Sequence, residues 1–297
     1  MDPSALILGM DAFIPYIPPY KDARHCTYSV ISRLVKRCIS MGFRRFDFSL
    51  YEPLMAVLRD AKRDYGDELV LVGNPSWRCG VQIGDTELFD LRDRVLATLH
   101  QLCPKLADAL KSAPIPAVRS EWWSVVDTTA KPLQPFEIDS IKLDRKRIRT
   151  HLAAAAELAT SLILGADYAD WLVLLGRADI LAEMYGIASE YLPVYSIAHF
   201  SEWVLPTLDA CSVSGHFIPF GRNTVFFEHH RVAQAAKNCK KPIVATFSLL
   251  RGCRTGDQVC DLLAFPLAWF PTAQCLVGVA TERDAESLAE VQLVLNK

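Results

Sequence analysis

The feature that most constrains this chain is an alternation. Short apolar runs of strand length alternate with longer runs of helical period. The first run is Ala5 to Met10. A helix follows at Thr27 to Met41, with Ile31, Leu34, Val35 and Cys38 on one face and Gly42 where a helix-ending glycine belongs. The second strand is Phe43 to Phe48. A helix entered through Pro53 carries Leu54, Val57, Leu58 and Ala61 and stops at Gly66. The third strand is Leu69 to Gly73. Further on, Ile148, Leu152, Ala155, Ala159 and Leu162 make a helical stripe ended by Gly165. Strands are then expected at Trp171 to Leu175, Val194 to Ala198, Gly215 to Pro219, Ile243 to Phe247 and Gln274 to Val279. The helices between and after them are Ala178 to Glu190, Glu202 to Cys211, Glu228 to Cys239, Asp257 to Ala264 and Asp284 to Leu295. Near-continuous apolar strands between amphipathic helices imply a parallel sheet covered on its outer side. Eight such units predict an α/β fold, a closed (β/α)8 TIM barrel occupying residues 1–297 as one domain. No glycine-rich dinucleotide fingerprint follows the first strand, which argues against a Rossmann domain.

The alternation breaks once. Residues 75–144 hold an amphipathic stretch near Glu87 to Lys111, a joint at Pro114 and Pro116, the pair Trp122-Trp123, then Pro132 and Pro135. Seventy residues are too many for an ordinary loop. The expectation is a long insertion after the third strand, acting as a lid or subdomain over the C-terminal face. Composition narrows the partners. A net charge of -2 gives no basic field for nucleic acid or anionic lipid. The longest apolar stretch, Leu262 to Phe270, is short and contains Pro266, so no membrane span is expected. Nine scattered cysteines with no CxxC pair read as reduced thiols of a soluble, cytoplasmic protein. No histidine or cysteine spacing requires a metal. His199, His216 and Cys211 would form a site only if folding brought them together, and adjacent His229 and His230 point about 100° apart on a helix.

Five ordered segments carry a family resemblance. Met41-Gly42-Phe43-Arg44-Arg45-Phe46-Asp47, with Tyr51 and Glu52 just after, resembles the aldo-keto reductase second strand and its catalytic aspartate and tyrosine. Tyr168-Ala169-Asp170-Trp171-Leu172-Val173-Leu174 is similar to that family's fourth strand. Ser196-Ile197-Ala198-His199-Phe200-Ser201 resembles its fifth-strand end, Phe247-Ser248-Leu249-Leu250-Arg251-Gly252 its seventh, and Cys275-Leu276-Val277-Gly278-Val279-Ala280 its eighth. The resemblance implies a barrel binding NADPH and a tetrad of aspartate, tyrosine, lysine and histidine. Asp47 and Tyr51 match the first two. Asn74, or Gly73 in a register one residue earlier, stands for the lysine, and Leu175 for the histidine. Ala198-His199 replaces the serine-asparagine pair that holds the nicotinamide, and Phe217 the sixth-strand glutamine. Phe247 and Ser248 match the cofactor-stacking segment. Arg283, beside Glu282, is the sole match to the phosphate-binding run.

The residues expected to do chemistry are therefore Asp47, Tyr51 and His199. A strand-end acid suits a base or cation anchor, and a histidine at a barrel mouth titrates near neutrality. Cofactor contacts are expected at Phe247, Ser248 and Arg283 for NADPH. Substrate contacts are expected at Asn74, Trp77, Trp122, Trp123, Arg222 and Arg251, which suit an anionic or aromatic small molecule. Lys142 to Arg147 reads as a solvated helix start. Two functions fit: a divergent reductase-like enzyme, by NADPH-dependent reduction or by a repurposed lyase or isomerase step in metabolite biosynthesis, or a catalytically degenerate pseudoenzyme that binds a metabolite or partner. The chain is expected to be a monomer or homodimer.

Overall fold

The computed structural model describes residues 5–10, 13, 27–75, 79–105, 108, 129–222, 229–246, 256–271 and 273–295. Eight parallel strands close into a barrel. In chain order they are β1 (Leu6–Gly9), β2 (Arg45–Ser49), β3 (Val70–Asn74), β7 (Ser161–Leu164), β8 (Val194–Ile197), β9 (Gly215–Pro219), β10 (Ile243–Thr246) and β11 (Gln274–Gly278). Three short strands, β4 (Val81–Ile83), β5 (Thr86–Glu87) and β6 (Lys142–Leu143), lie between β3 and β7 in sequence. They form a separate antiparallel sheet in the order β5-β4-β6.

Register sorts the barrel's side chains into two sets. Ile7, Val72, Ile163, Phe217 and Val244 pack with one another, joined by Tyr195, Ile197 and Leu276. These are the inward residues. The alternate residues, among them Leu8, Phe46, Phe48, Leu71, Leu162, Ile218 and Cys275, pack outward with the helices in one large core. Paired residues on neighbouring parallel strands share a face, and period 2 carries that face along each strand. Asp47 pairs with Val72 and Ser49 with Asn74, so all four point into the barrel. The helices bury the expected stripe: Ile31, Leu34, Val35, Cys38 and Ile39 on Tyr28–Ser40, and Leu54, Val57, Leu58 and Ala61 on Glu52–Tyr65. Gly42 takes φ 93°, the left-handed turn the first helix needs at its end.

One barrel strand is not where its apolar run predicts. The fourth barrel strand is Ser161–Leu164, and Trp171–Leu175 belongs instead to the helix Ala166–Leu174 and its end. The helix expected to run to Leu162 stops at Ala156. A short apolar run bounded by glycine suits a buried helix as well as a strand, and periodicity alone does not separate them. The segment Tyr168–Leu174 is therefore not the counterpart of a fourth strand, and Leu175 does not occupy a strand end. The expected short helix at Asp257 to Ala264 is longer, Gly256–Trp269.

The described part of residues 75–144 contains the small sheet, the helix Arg92–Leu102 and a short helix Pro135–Asp139. Its strands of two or three residues are too short to show a period. The Gly84-Asp85 turn, with Gly84 at φ 61°, was the available sign of a hairpin. Glu87 ties this region to the barrel. Its buried carboxylate accepts from the Gly80 N–H (2.9 Å) and the Tyr168 hydroxyl (3.1 Å) and meets Arg147 at 3.2 Å. Phe89 stacks on Trp171 with ring centres 6.2 Å apart. The region thus packs against the helix Ala166–Leu174. Asp144 caps the helix Arg145–Ala156 through the Arg147 N–H, the helix start expected there.

Candidate active site

Parallel barrel strands end on one face, and the side chains at those ends converge. Asp47, Ser49, Asn74 and Thr246 share the inward face near that end. Asp47 is 2% exposed. Beside it in register stands Gly9, and beside Gly9 stands Gly278. A Cβ on Gly278 would meet nothing within 4 Å. A Cβ on Gly9, the neighbour of Asp47, would already meet Leu276 Cδ1 at 3.5 Å, so the open space lies at Gly278. Tyr51 follows two residues after Ser49 and starts the helix Glu52–Tyr65, which places it at the same end. Arg44 is not the partner of Asp47: it bonds the Ile39 and Phe43 carbonyls and Glu68.

His199 lies one residue beyond Ala198 at the end of β8, and Asp167 stands at the matching level beyond β7. Leu164 pairs with Ser196, and Gly165, at φ 107°, turns the chain directly into the helix Ala166–Leu174. Asp167 and Asp170 are three residues apart on that helix, so both carboxylates lie on one face. The three side chains meet. His199 Nδ1 is 3.2 Å from Asp170 Oδ2 and 3.4 Å from Asp167 Oδ1. Asp170 also accepts from the backbone N–H groups of His199 and Phe200, each at 2.8 Å. All three are buried, at 5%, 1% and 7% exposure for Asp167, Asp170 and His199. Burial pushes the Asp167 carboxyl up to about 7, and Asp170 adds to the rise while His199 and Arg92 oppose it. Burial also lowers the pKa of Arg92.

This arrangement has a definite chemical capacity. Two carboxylates facing Nδ1 hold the imidazole proton there and direct the ring's basic character to Nε2. A carboxyl titrating near 7 can hold or release a proton at neutral pH. Reading the sequence as a strand hid both aspartates, because alternation puts Asp170 alone on a face. The signal that finds them is an Asp-x-x-Asp step inside an apolar run, which is meaningful only on a helix.

The remaining candidates are dispersed or undescribed. Arg222 is exposed in the turn after β9, and Arg283 is exposed in the first turn of the helix Glu282–Leu295. Trp77, Trp122, Trp123, Phe247, Ser248 and Arg251 lie outside the described residues. His199 and His216 are not brought together: His216 sits at the opposite end of β9 and faces outward, beside Ser196. His229 Nε2 is bonded to the Gly221 carbonyl (2.9 Å). The turn after β11 is occupied by its own acid. Asp284 accepts from the N–H groups of Ala280 (3.0 Å) and Thr281 (2.8 Å), and Thr281 Oγ1 accepts from the Asp284 N–H (3.2 Å).

The barrel with these strand ends was compared with known proteins. Along 98% of its length the chain matches a Pseudomonas aeruginosa protein assigned to the aldo-keto reductases, covering 91% of that chain, with a TM-score of 0.56 and 16% identity. The chain shares the (β/α)8 barrel fold of that protein. A thermostable aldo-keto reductase in complex with the inhibitor epalrestat matches at TM-score 0.53 and 10% identity, over 97% of this chain and 89% of that one. An aldo-keto reductase from Klebsiella pneumoniae in complex with NADPH matches at 0.51 and 11%, over 97% and 84%. No protein-family model and no curated protein matches the sequence. In this barrel Asp47 is the inward-facing third residue of β2, and Asn74 is the last residue of β3.

Proposed function

We propose that this chain is a small-molecule enzyme of metabolism that works by proton transfer in the barrel mouth, in a lyase or isomerase type of step, without hydride transfer. The observation that carries the reading is the buried cluster of Asp167, Asp170 and His199 at the ends of two neighbouring strands. In this reading Asp170 fixes the imidazole, His199 moves a substrate proton at Nε2, and Asp167 balances the charge by holding or releasing its own proton. Asp47 binds a hydroxyl or cationic group of the substrate, with Ser49, Asn74 and Thr246 around it. Tyr51 borders the same space. Arg222 and Arg251 serve an anionic group on the substrate, and the region 75–144, with its three tryptophans, covers the mouth. The many thiols suit a cytoplasmic setting.

The fold raises the question of NADPH, and the residues present do not suit its phosphate. At the turn after β11 the two N–H donors already hold the Asp284 carboxylate. A phosphate there would have to displace that carboxylate and sit beside Glu282. Among the described residues of this turn, Arg283 is the one cation set against two acids. No step of the proposed chemistry runs through a nicotinamide.

A binding-only reading is favoured by one observation. Asp170 spends its carboxylate on two backbone N–H groups, which is an anchoring role that needs no catalysis. The two readings separate in deuterium oxide. The chain is incubated with a panel of small hydroxy acids and carbonyl compounds, and proton exchange is followed by NMR. Exchange at one C–H, lost at least a hundredfold in His199→Gln and reduced in Asp47→Asn, supports the enzyme. Binding of a panel member without any exchange, or exchange unchanged in both variants, overturns it.

A further inference from the structure

A second polar cluster lies at the other end of the barrel, on the outer face of the strands, and takes no part in the mouth. Asp209 ends the helix Ser201–Asp209, His216 is the second residue of β9, and Cys239 follows the helix His229–Lys237. One ligand atom from each of the three lies within 4.8 Å of the other two. His216 Nε2 and Asp209 Oδ1 are already 3.1 Å apart. His216 is fully buried, and its other ring nitrogen, Nδ1, is 2.7 Å from the buried Ser196 Oγ.

We propose that Asp209, His216 and Cys239 bind one divalent transition-metal ion of the zinc type. The donors are one oxygen, one imidazole nitrogen and one sulfur, the borderline-soft set that zinc and cobalt accept. Metal-ligand bonds of ~2.0–2.3 Å in a tetrahedron place these ligand atoms roughly 3.3–3.6 Å apart, so closing the site takes shifts of about an ångström. Asp209 and Cys239 are partly exposed and have room for such shifts. Ser196 is the outer partner that a ligating histidine needs: accepting the Nδ1 proton, it presents the Nε2 lone pair to the metal. The second oxygen of Asp209 is held by the Lys240 N–H (3.1 Å), which fixes the carboxylate. Lys241 turns its ammonium to the carbonyls of Asp209 (2.7 Å) and Cys211 (2.6 Å), bracing the same corner. Its positive charge opposes a bound cation, an effect the two carbonyls it meets partly offset. The fourth position is left to water on the exposed side. A bound ion would clip a helix end, a strand and the next helix end together. A plain hydrogen-bond relay from Ser196 through His216 to Asp209 has no need of Cys239, so the thiol distinguishes the two arrangements.

The test uses the full chain, stripped with a chelator, kept reduced and titrated with Co²⁺. One equivalent should produce thiolate-to-cobalt absorption in the near ultraviolet, zinc should displace it, and the thermal midpoint should rise with metal. Cys239→Ser keeps a hydroxyl for the Ala235 carbonyl that the thiol now meets at 3.4 Å. It should lose the absorption band and bind at least tenfold more weakly, and Asp209→Asn should also weaken binding about tenfold. No absorption band in the wild type, or the same band in Cys239→Ser, would overturn the proposal.

Discussion

Asp167 shows how one buried carboxyl couples the site to stability. Its folded pKa of about 7 lies far above the ordinary aspartate value of about 4. The folded chain therefore keeps a proton that the unfolded chain releases between those two values. Where the unfolded state binds fewer protons, stability falls as pH rises. The stability from this proton is complete below pH ~4 and is lost as pH climbs through about 7, a decline of roughly 2–4 kcal/mol. Asp167→Asn removes the titrating group. Thermal midpoints from pH 4 to 8 should fall more steeply for wild type than for the variant, and parallel curves would contradict the assignment. Gly165 is a second residue with a fixed role. It stands at φ 107°, and an added Cβ would come within 2.6 Å of the Tyr185 hydroxyl oxygen and 3.2 Å of Ala169 Cβ. Gly165→Ala combines a disfavoured backbone with a clash and should cost roughly 3 kcal/mol in urea unfolding. A cost below about 1 kcal/mol would mean the turn relaxes freely.

At the scale of elements, the helix Ala166–Leu174 organises the rim. It carries both aspartates, receives Glu87 through Tyr168, and stacks Trp171 against Phe89. Its hold on β8 runs through Asp170. Asp170→Ala leaves the N–H groups of His199 and Phe200 without that acceptor, at ~1–3 kcal/mol for each buried group. The expected loss is about 3 kcal/mol by chemical denaturation, with faster hydrogen exchange at those two amides than elsewhere in the barrel. Unchanged exchange at His199 and Phe200 would count against the anchor. This helix also marks where the sequence stops being readable. The strands Leu6–Gly9, Arg45–Ser49 and Gly215–Pro219 are legible as short apolar runs set between stretches of clear helical period or turn residues. Trp171–Leu175 has no period to separate strand from buried helix, and the true strand Ser161–Leu164 prolongs a helical stripe by coincidence of spacing. The aspartates followed that error: with Asp170 set in a strand-like segment and Asp167 outside it, they never formed a pair. His199 was legible as a departure from the family pattern, while its partners were visible only through the fold.

At the scale of the whole molecule, the closed barrel was readable because eight units leave few other solutions, and the solved structures that match it over nearly the whole chain share that architecture. In the proposed reading the chemistry does not travel with the architecture. Closure requires apolar strands and covered faces, conditions that many sequences meet, whereas a nicotinamide site requires particular donors at particular strand ends. Here Asn74 ends β3, the donors after β11 are taken by Asp284, and the buried acids stand beside His199. The central claim, proton transfer without a nicotinamide, is tested most directly by titrating the full chain with NADPH and following energy transfer from its tryptophans to the reduced nicotinamide, with thermal midpoints read in parallel. The account predicts no saturable transfer and no change in midpoint up to millimolar NADPH. Saturable transfer with a micromolar Kd would contradict it.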